Sequence, residues 1–446
     1  MTELRATPVT TSSDAEGLEL YRLVEELYPI CRSITGDGVR KTLGILGRYA
    51  PLEVHEVPSG TPVLDWTVPN EWNIRDAYIA DTQGRRIVDF RAHNLHVLNY
   101  STPIKRRVSR EELDKHLFSL PDQPDLIPYR TSYYAENWGF CLSHAQRQTL
   151  RDSEYDVCIE STLAPGHLTY GEVVLPGETT DEILISAHVC HPSLADDNNS
   201  GLAIAAWLAR AFAAHEARRH TLRFLFAPGT IGAITWLARN QANAQRIKHG
   251  LTLTCLGDHN IFTYKKTVFG DAEIDRVVPH VLAHSGYPHQ IIEFFPYGYD
   301  ERQYNSPGFR LPVGSLMRGR HGHFPEYHTS ADNLQFVTPE QLQASMRVLF
   351  AVIETLDQNR SYENLQPFGE PQLGKRGLYQ ALGGTNIADL QLALLWVLNL
   401  SDGRHSLLDI AERSRMPFST IRTAADLLAQ HDLLRTSQTP SGENSQ

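Results

Sequence analysis

Residues Ser186 to Gly201 combine the side chains of this chain best suited to chemistry. The apolar run Ile183-Leu184-Ile185 reads as a buried strand that ends at His188. A turn of small residues follows, and Asp197-Asn198-Asn199-Ser200-Gly201 opens the helix-like Leu202-Ala203-Ile204-Ala205-Ala206-Trp207-Leu208. Parallel sheets present ligands at this kind of carboxyl edge, and the amides opening the helix favour negative charge beside it. A second histidine stands far downstream in Tyr327-His328-Thr329-Ser330, and Asp258 follows the apolar run Leu251-Thr252-Leu253-Thr254-Cys255. Two imidazoles and two carboxylates at strand ends suit zinc, which takes neutral nitrogen and carboxylate ligands and leaves a position for water in catalytic sites. The expected ligands are His188, Asp197, Asp258 and His328. Cys190 and His191 are expected to shape the pocket around them.

The elements that must position these groups follow from patterning. Buried-strand and helix patterns alternate through Ile183–Ala187, a helix over 201–214, Leu222–Phe226, a helix over 232–245 and a strand over 251–256. That rhythm predicts an α/β fold with a doubly wound, mostly parallel sheet. Upstream, apolar spacing over Ala15 to Tyr49 suits amphipathic helices, while residues 1–13 read as disordered. Short alternating runs between Leu52 and Thr102 then read as an inserted β-rich domain. After Pro367 the chain offers helices over Leu390–Asn399, Leu407–Ser414 and Phe418–Leu428, then His431-Asp432-Leu433-Leu434-Arg435, a winged helix-turn-helix pattern. The expected boundaries are 15–52 with 116–362 for the α/β domain, 53–115 for the insertion and 370–437 for the winged helix.

Composition narrows the function classes. The 446 residues carry 52 Asp and Glu against 41 Lys and Arg, a net charge of -11, which disfavours nucleic acid as a partner. Charge in the tail is nearly balanced, so protein interaction is expected there, with homo-oligomer formation through the C-terminal domain as one form. No apolar run is long enough to span a membrane, and the polar start does not read as a signal peptide. Five scattered cysteines suggest reduced thiols and a cytoplasmic setting.

At the site the chain resembles the zinc aminopeptidases of the co-catalytic family that also contains the glutaminyl cyclases. His188, Asp197-Asn198-Asn199-Ser200-Gly201, Asp258 and Tyr327-His328-Thr329 match four of that family's five elements. Over nearly its full length it is similar to a bacterial aminopeptidase-like family of unknown function with a small inserted domain and a C-terminal winged helix. Val68-Pro69-Asn70-Glu71-Trp72-Asn73-Ile74, Asn99-Tyr100-Ser101-Thr102-Pro103, Tyr129-Arg130-Thr131-Ser132-Tyr133-Tyr134 and Tyr304-Asn305-Ser306-Pro307-Gly308-Phe309 carry this closer resemblance.

The missing element is the Glu-Glu pair after strand Leu222–Phe226, where this chain reads Ala227-Pro228-Gly229-Thr230-Ile231-Gly232. Gly229 cannot accept a proton, and losing a general base costs about 100- to 10,000-fold in rate. Thr230 is a poor zinc ligand, so one ion is expected rather than two, held by some three of the four ligands. Glu301 or Asp300, in the loop Tyr299-Asp300-Glu301-Arg302-Gln303-Tyr304, could supply the base, with Glu326 a weaker candidate. Arg318, Arg320 and His321 could bind a substrate carboxylate or phosphate. The resemblance implies zinc-dependent hydrolysis of an amide or peptide bond in an aminoacyl compound, with a small molecule or short peptide as substrate. The alternatives are a catalytically weakened metal-binding scaffold, aminoacyl or acyl transfer in a biosynthetic pathway, and, last, transcriptional regulation through the tail.

Overall fold

A computed structural model describes residues 15–215, 217–378 and 387–437. The expected disorder of residues 1–13 lies outside them. Two compact units emerge, one from residues 1–272 with 288–347, the other from 273–287 with 348–446.

The first unit is built on an eight-stranded sheet. Its strands in chain order are β1 (Glu53–Pro58), β2 (His167–Leu175), β3 (Glu182–His188), β4 (Thr221–Ala227), β5 (Ile247–Leu253), β6 (Phe262–Lys265), β7 (His289–Ile292) and β8 (Val313–Met317). They lie side by side in the order β1-β2-β4-β3-β5-β8-β6-β7. β3 pairs parallel with both β4 and β5, and β5 pairs parallel with β8. β1, β2 and the β6–β8 contact are antiparallel. Every residue of β3 is buried, as its unbroken apolar run requires of a strand covered on both faces. α1 (Ala15–Leu27), α2 (Asp37–Leu46), α3 (Gly201–Ala213) and α4 (Ile231–Arg239) belong to the same unit. The expected helix over 232–245 is divided at Asn240, and the expected strand over 251–256 begins earlier and stops at Leu253.

One buried ion network ties the sheet laterally. Arg223 on β4 donates to Glu182 on β3 at 2.7 and 2.9 Å and to Glu172 on β2 at 2.5 Å. Trp236 of α4 adds a donor to Glu172 at 3.1 Å. Each charge therefore has partners, the condition under which buried ions are tolerated.

The β-rich module differs from its expected bounds. Glu53–Pro58 pairs with β2 and so belongs to the main sheet. The module's own four-stranded sheet uses Glu71–Ala80, Arg86–Asp89 and Ile104–Ser109 together with Glu154–Ala164. The long strand Glu154–Ala164 pairs with two others over an apolar core that includes Ala77, Ile79, Val108, Phe140 and Val157. Sequence separation hid that pairing, since 73 residues lie between Ala80 and Glu154 and 44 between Ser109 and Glu154.

The second unit contains α5 (Glu273–Ser285), α7 (Ile387–Leu400), α8 (Leu407–Ser414) and α9 (Phe418–Gln430), preceded by the C-terminal part of α6 (Pro339–Gln358). A three-stranded sheet of Ser361–Asn364, Asp402–Ser406 and Leu434–Thr436 forms the wing. Ser406 caps α8 in a reciprocal box with Asp409, satisfying amides that the helix start leaves open. Among the described residues no helix is long and apolar enough to cross a membrane.

Candidate metal centre

β3 delivers His188 to the carboxyl edge of the sheet, and the chain from there to α3 folds back over it. Residues Ala195 to Ser200 are all buried, so their backbone groups need protein partners. Asp332 accepts from the amides of Asp196 at 2.6 Å and Asp197 at 3.0 Å. Ser200 donates to the Asp196 carbonyl at 2.6 Å and accepts from the Leu256 amide at 3.0 Å, joining the turn to the end of β5. Asn198 donates to the Leu253 carbonyl at 2.9 Å, and its amide nitrogen lies 3.2 Å from His188 Nδ1. These bonds fix the turn and orient the first imidazole.

The result is a carboxylate ringed by imidazoles. His188 Nε2 lies 2.8 Å from Asp197 Oδ1, and His328 Nε2 lies 3.0 Å from Asp197 Oδ2. His191 Nδ1 is 3.1 Å from His188 Nε2 and 3.5 Å from Asp197 Oδ1. One ligand atom from each of His188, His191 and Asp197 lies within 4.8 Å of the others. The Tyr129 ring stands edge-on to both His191 and His328 at 5.0 Å, and Tyr327 stacks on His328 at 4.0 Å. The His191 carbonyl accepts from the buried Arg32, which also donates to Asn199 at 2.7 Å.

Protonation states match the geometry. Burial pushes His188 down to about 4 against the opposing pull of Asp197, and burial likewise lowers His328. Burial alone would raise the Asp197 carboxyl, yet His191, His188 and His328 together hold it well below its ordinary value. His188 and His328 lowered toward the neutral form beside an ionised Asp197 are what a zinc ion requires of such ligands. The donor set fits the metal.

Of the expected ligands, His188, Asp197 and His328 converge. Asp258 is not among the clustered ligand atoms: its oxygens accept from the amides of Asn260 at 2.5 Å and Gly319 at 3.0 Å. β5 ends at Leu253 and the chain turns at Cys255 (φ 49°), so the strand-edge position belongs to Thr254. Its hydroxyl lies 3.4 Å from Asp197 Oδ1. His191 stands in the cluster itself rather than merely shaping the pocket.

The turn after β4 shows what replaced the missing carboxylates. A Cβ built on Gly229 would lie 1.8 Å from the Tyr299 hydroxyl oxygen, so the phenol occupies the space a side chain there would need. The Tyr299 hydroxyl is 3.3 Å from Cys190 Sγ, and its ring lies 4.0 Å from that of His188. Burial raises both groups, Cys190 to about 12 and Tyr299 well above its usual value, so both are neutral. Asp300 accepts from the Thr230 amide at 2.8 Å, and burial pushes its carboxyl up to about 7. Glu301 is committed elsewhere: it pairs with Lys265 at 2.8 Å and accepts from the Tyr299 amide at 3.0 Å. Thr230 (φ 62°) and His328 (φ 55°) hold left-handed backbone, which costs of order 1–3 kcal/mol and clusters at functional sites. Tyr299 was not singled out from sequence, although it begins the loop that was.

Comparison with known proteins gives the family and the fold. A family model described as a domain of unknown function, DUF4910, matches residues 21–359. The chain belongs to this family. A winged helix-turn-helix model matches residues 360–436. A Clostridium acetobutylicum protein named as a candidate polysaccharide biosynthesis protein with an aminopeptidase-like domain is 51% identical over 425 residues, covering 95% of this chain and 98% of that one. The crystal structure of a candidate peptidase from the same organism superposes with a TM-score of 0.90 at 50% identity, covering 95% of this chain and 97% of the other. A zinc aminopeptidase from Bacillus subtilis shares the fold, with a TM-score of 0.56 at 12% identity over 78% of this chain and 96% of its own.

Proposed function

We propose that this protein hydrolyses an amide bond of an aminoacyl compound, using one zinc ion held by Asp197 with His188, His328 and His191. The observation carrying the reading is the convergence of three imidazoles on one buried, ionised carboxylate, with His188 lowered by burial toward its neutral form. Zinc, when bound, supplies a Lewis acid for the carbonyl and lowers the pKa of attacking water. Thr254, whose hydroxyl lies 3.4 Å from Asp197 Oδ1, stands at the strand edge beside the cluster and is a poor ligand, so the reading keeps a single ion.

The chain's own residues have separable tasks. Asp300, raised to about 7, has the proton affinity of a base working near neutrality. Glu301 organises the loop through Lys265 and the Tyr299 amide and does not carry the proton. The neutral Tyr299 hydroxyl, 3.3 Å from Cys190 Sγ on a ring that lies 4.0 Å from that of His188, serves in this reading as the donor to a substrate carbonyl oxygen.

Zinc content and turnover of a panel of aminoacyl p-nitroanilides test the proposal. Stoichiometric zinc in wild-type protein, lost in Asp197→Asn, is expected together with hydrolysis. Loaded protein without turnover would refute the hydrolase reading. A second reading draws on Gly229 and on the name of the Clostridium relative: transfer of the acyl group to an amine in a biosynthetic pathway. A coupled product formed only with an added amine would favour it.

A further inference from the structure

The side of the site beyond Tyr299 contains a cavity the hydrolytic machinery does not use. It holds about 30 Å³ and is lined in part by Lys265, Phe295, Glu301, Arg320, His321 and His323. That is room for two or three water-sized groups, enough for a small polar terminus and too little for an apolar side chain. His321 joins it to the cluster: its ring stacks at 6.0 Å on Tyr299, which lies against His188.

Three observations point to what belongs there. Both ring nitrogens of His321 are shielded from solvent and have no hydrogen-bond partner, a state that costs about 1–3 kcal/mol until a ligand supplies one. The Arg320 guanidinium makes no hydrogen bond or ion pair among the described residues; it stands 5.9 Å from the Phe295 ring. Lys265, by contrast, is neutralised by Glu301 at 2.8 Å and donates to the Tyr297 carbonyl.

We infer that this cavity is a subsite for a carboxylate on the substrate, with Arg320 supplying the charge and His321 a donor from the wall facing the cluster. The inference rests on the proposed function, since it places the carboxylate on the same molecule whose acyl group meets the cluster. Charge selects the ligand. The Lys265–Glu301 pair cancels and burial lowers His321 toward its neutral form, so Arg320 leaves one net positive charge. One negative charge matches it; a dianionic phosphate does not. The planar guanidinium also suits a carboxylate geometrically. The substrate class is therefore an acidic aminoacyl compound, of the aspartyl or glutamyl kind.

The test is calorimetric binding of L-glutamate and its neutral isostere L-glutamine to full-length protein, both metal-free and zinc-loaded. Glutamate should bind about tenfold or more tightly than glutamine, the worth of one charge-assisted bond. Arg320→Gln should bring the two to near parity, and Arg320→Lys should keep part of the preference. Arg320 is only half-buried, so both variants are expected to fold, which circular dichroism checks. Equal affinities in wild type, binding of neither amino acid, a preference that survives Arg320→Gln, or tighter binding of inorganic phosphate would each overturn the subsite. Zinc content and nitroanilide turnover are read separately, so failure of the hydrolytic reading leaves the glutamate preference measurable, and the reverse holds as well.

Discussion

Gly229 and Tyr299 act as one unit at the residue scale. The phenol lies where a residue 229 side chain would project, so the two positions cannot both be large. Gly229→Ala should destabilise the protein by about 1–3 kcal/mol, the usual penalty for overpacking a buried site. Urea denaturation checks this, and a double variant with Tyr299→Ala should lose less than the sum of the single losses. Asp300 gives a sharper functional test. A base with a pKa of about 7 is inactive when protonated, so turnover should rise as pH increases through 7. Asp300→Asn should lower kcat by about 100-fold or more and flatten that profile. A Glu301→Gln variant with the same kinetic signature would reverse the two assignments.

At the scale of elements, the turn between β3 and α3 and the lateral ion network matter most. Ser200 joins the turn to the end of β5 by accepting from the buried Leu256 amide. Ser200→Ala leaves that amide unsatisfied and should cost about 1–3 kcal/mol, with zinc binding weakened because Asp197 rides on the same turn. Arg223→Met should cost more, about 3–5 kcal/mol, since Glu172 and Glu182 would stay buried without their cation. Denaturant midpoints of the two variants should fall in that order. The strand-turn-helix bearing His188 and Asp197 was legible from sequence because its apolar run and its glycine-ended turn are local features. The two-sided pairing of Glu154–Ala164 was not, because nothing local marks a partner so far away.

Across the whole molecule, buried histidines govern the response to acid. His188, His93 and His280 titrate near 4 in the folded chain through burial, against about 6.5 when unfolded. Between those values the unfolded chain binds more protons, so their stabilisation is present above pH 6.5 and is lost as pH falls toward 4. Asp300, Asp332, Asp196 and Asp426 have the opposite sign, being raised by burial, but the lowered histidines, which also include His249, His96, His321 and His328, outnumber them. The thermal midpoint of metal-free protein should therefore drop by about 5 °C or more from pH 7 to pH 4.5. Zinc at a hundredfold excess over its Kd should add about 2.7 kcal/mol at neutral pH, and chelation should remove it.

Local covalent order was enough to single out His188, Asp197 and His328, side chains that the fold brings together, to announce the alternating α/β architecture and to place the winged tail. Each depends on spacing within a dozen residues or so, where periodicity and turn chemistry act directly. Tertiary structure alone decided that Thr254 rather than Asp258 ends at the cluster, that His191 joins it, and that Tyr299 fills the space above Gly229. Those outcomes turn on where a strand stops and on which side chain, distant along the chain, reaches a given few ångströms. That is a matter of packing in three dimensions, and no window of sequence contains it.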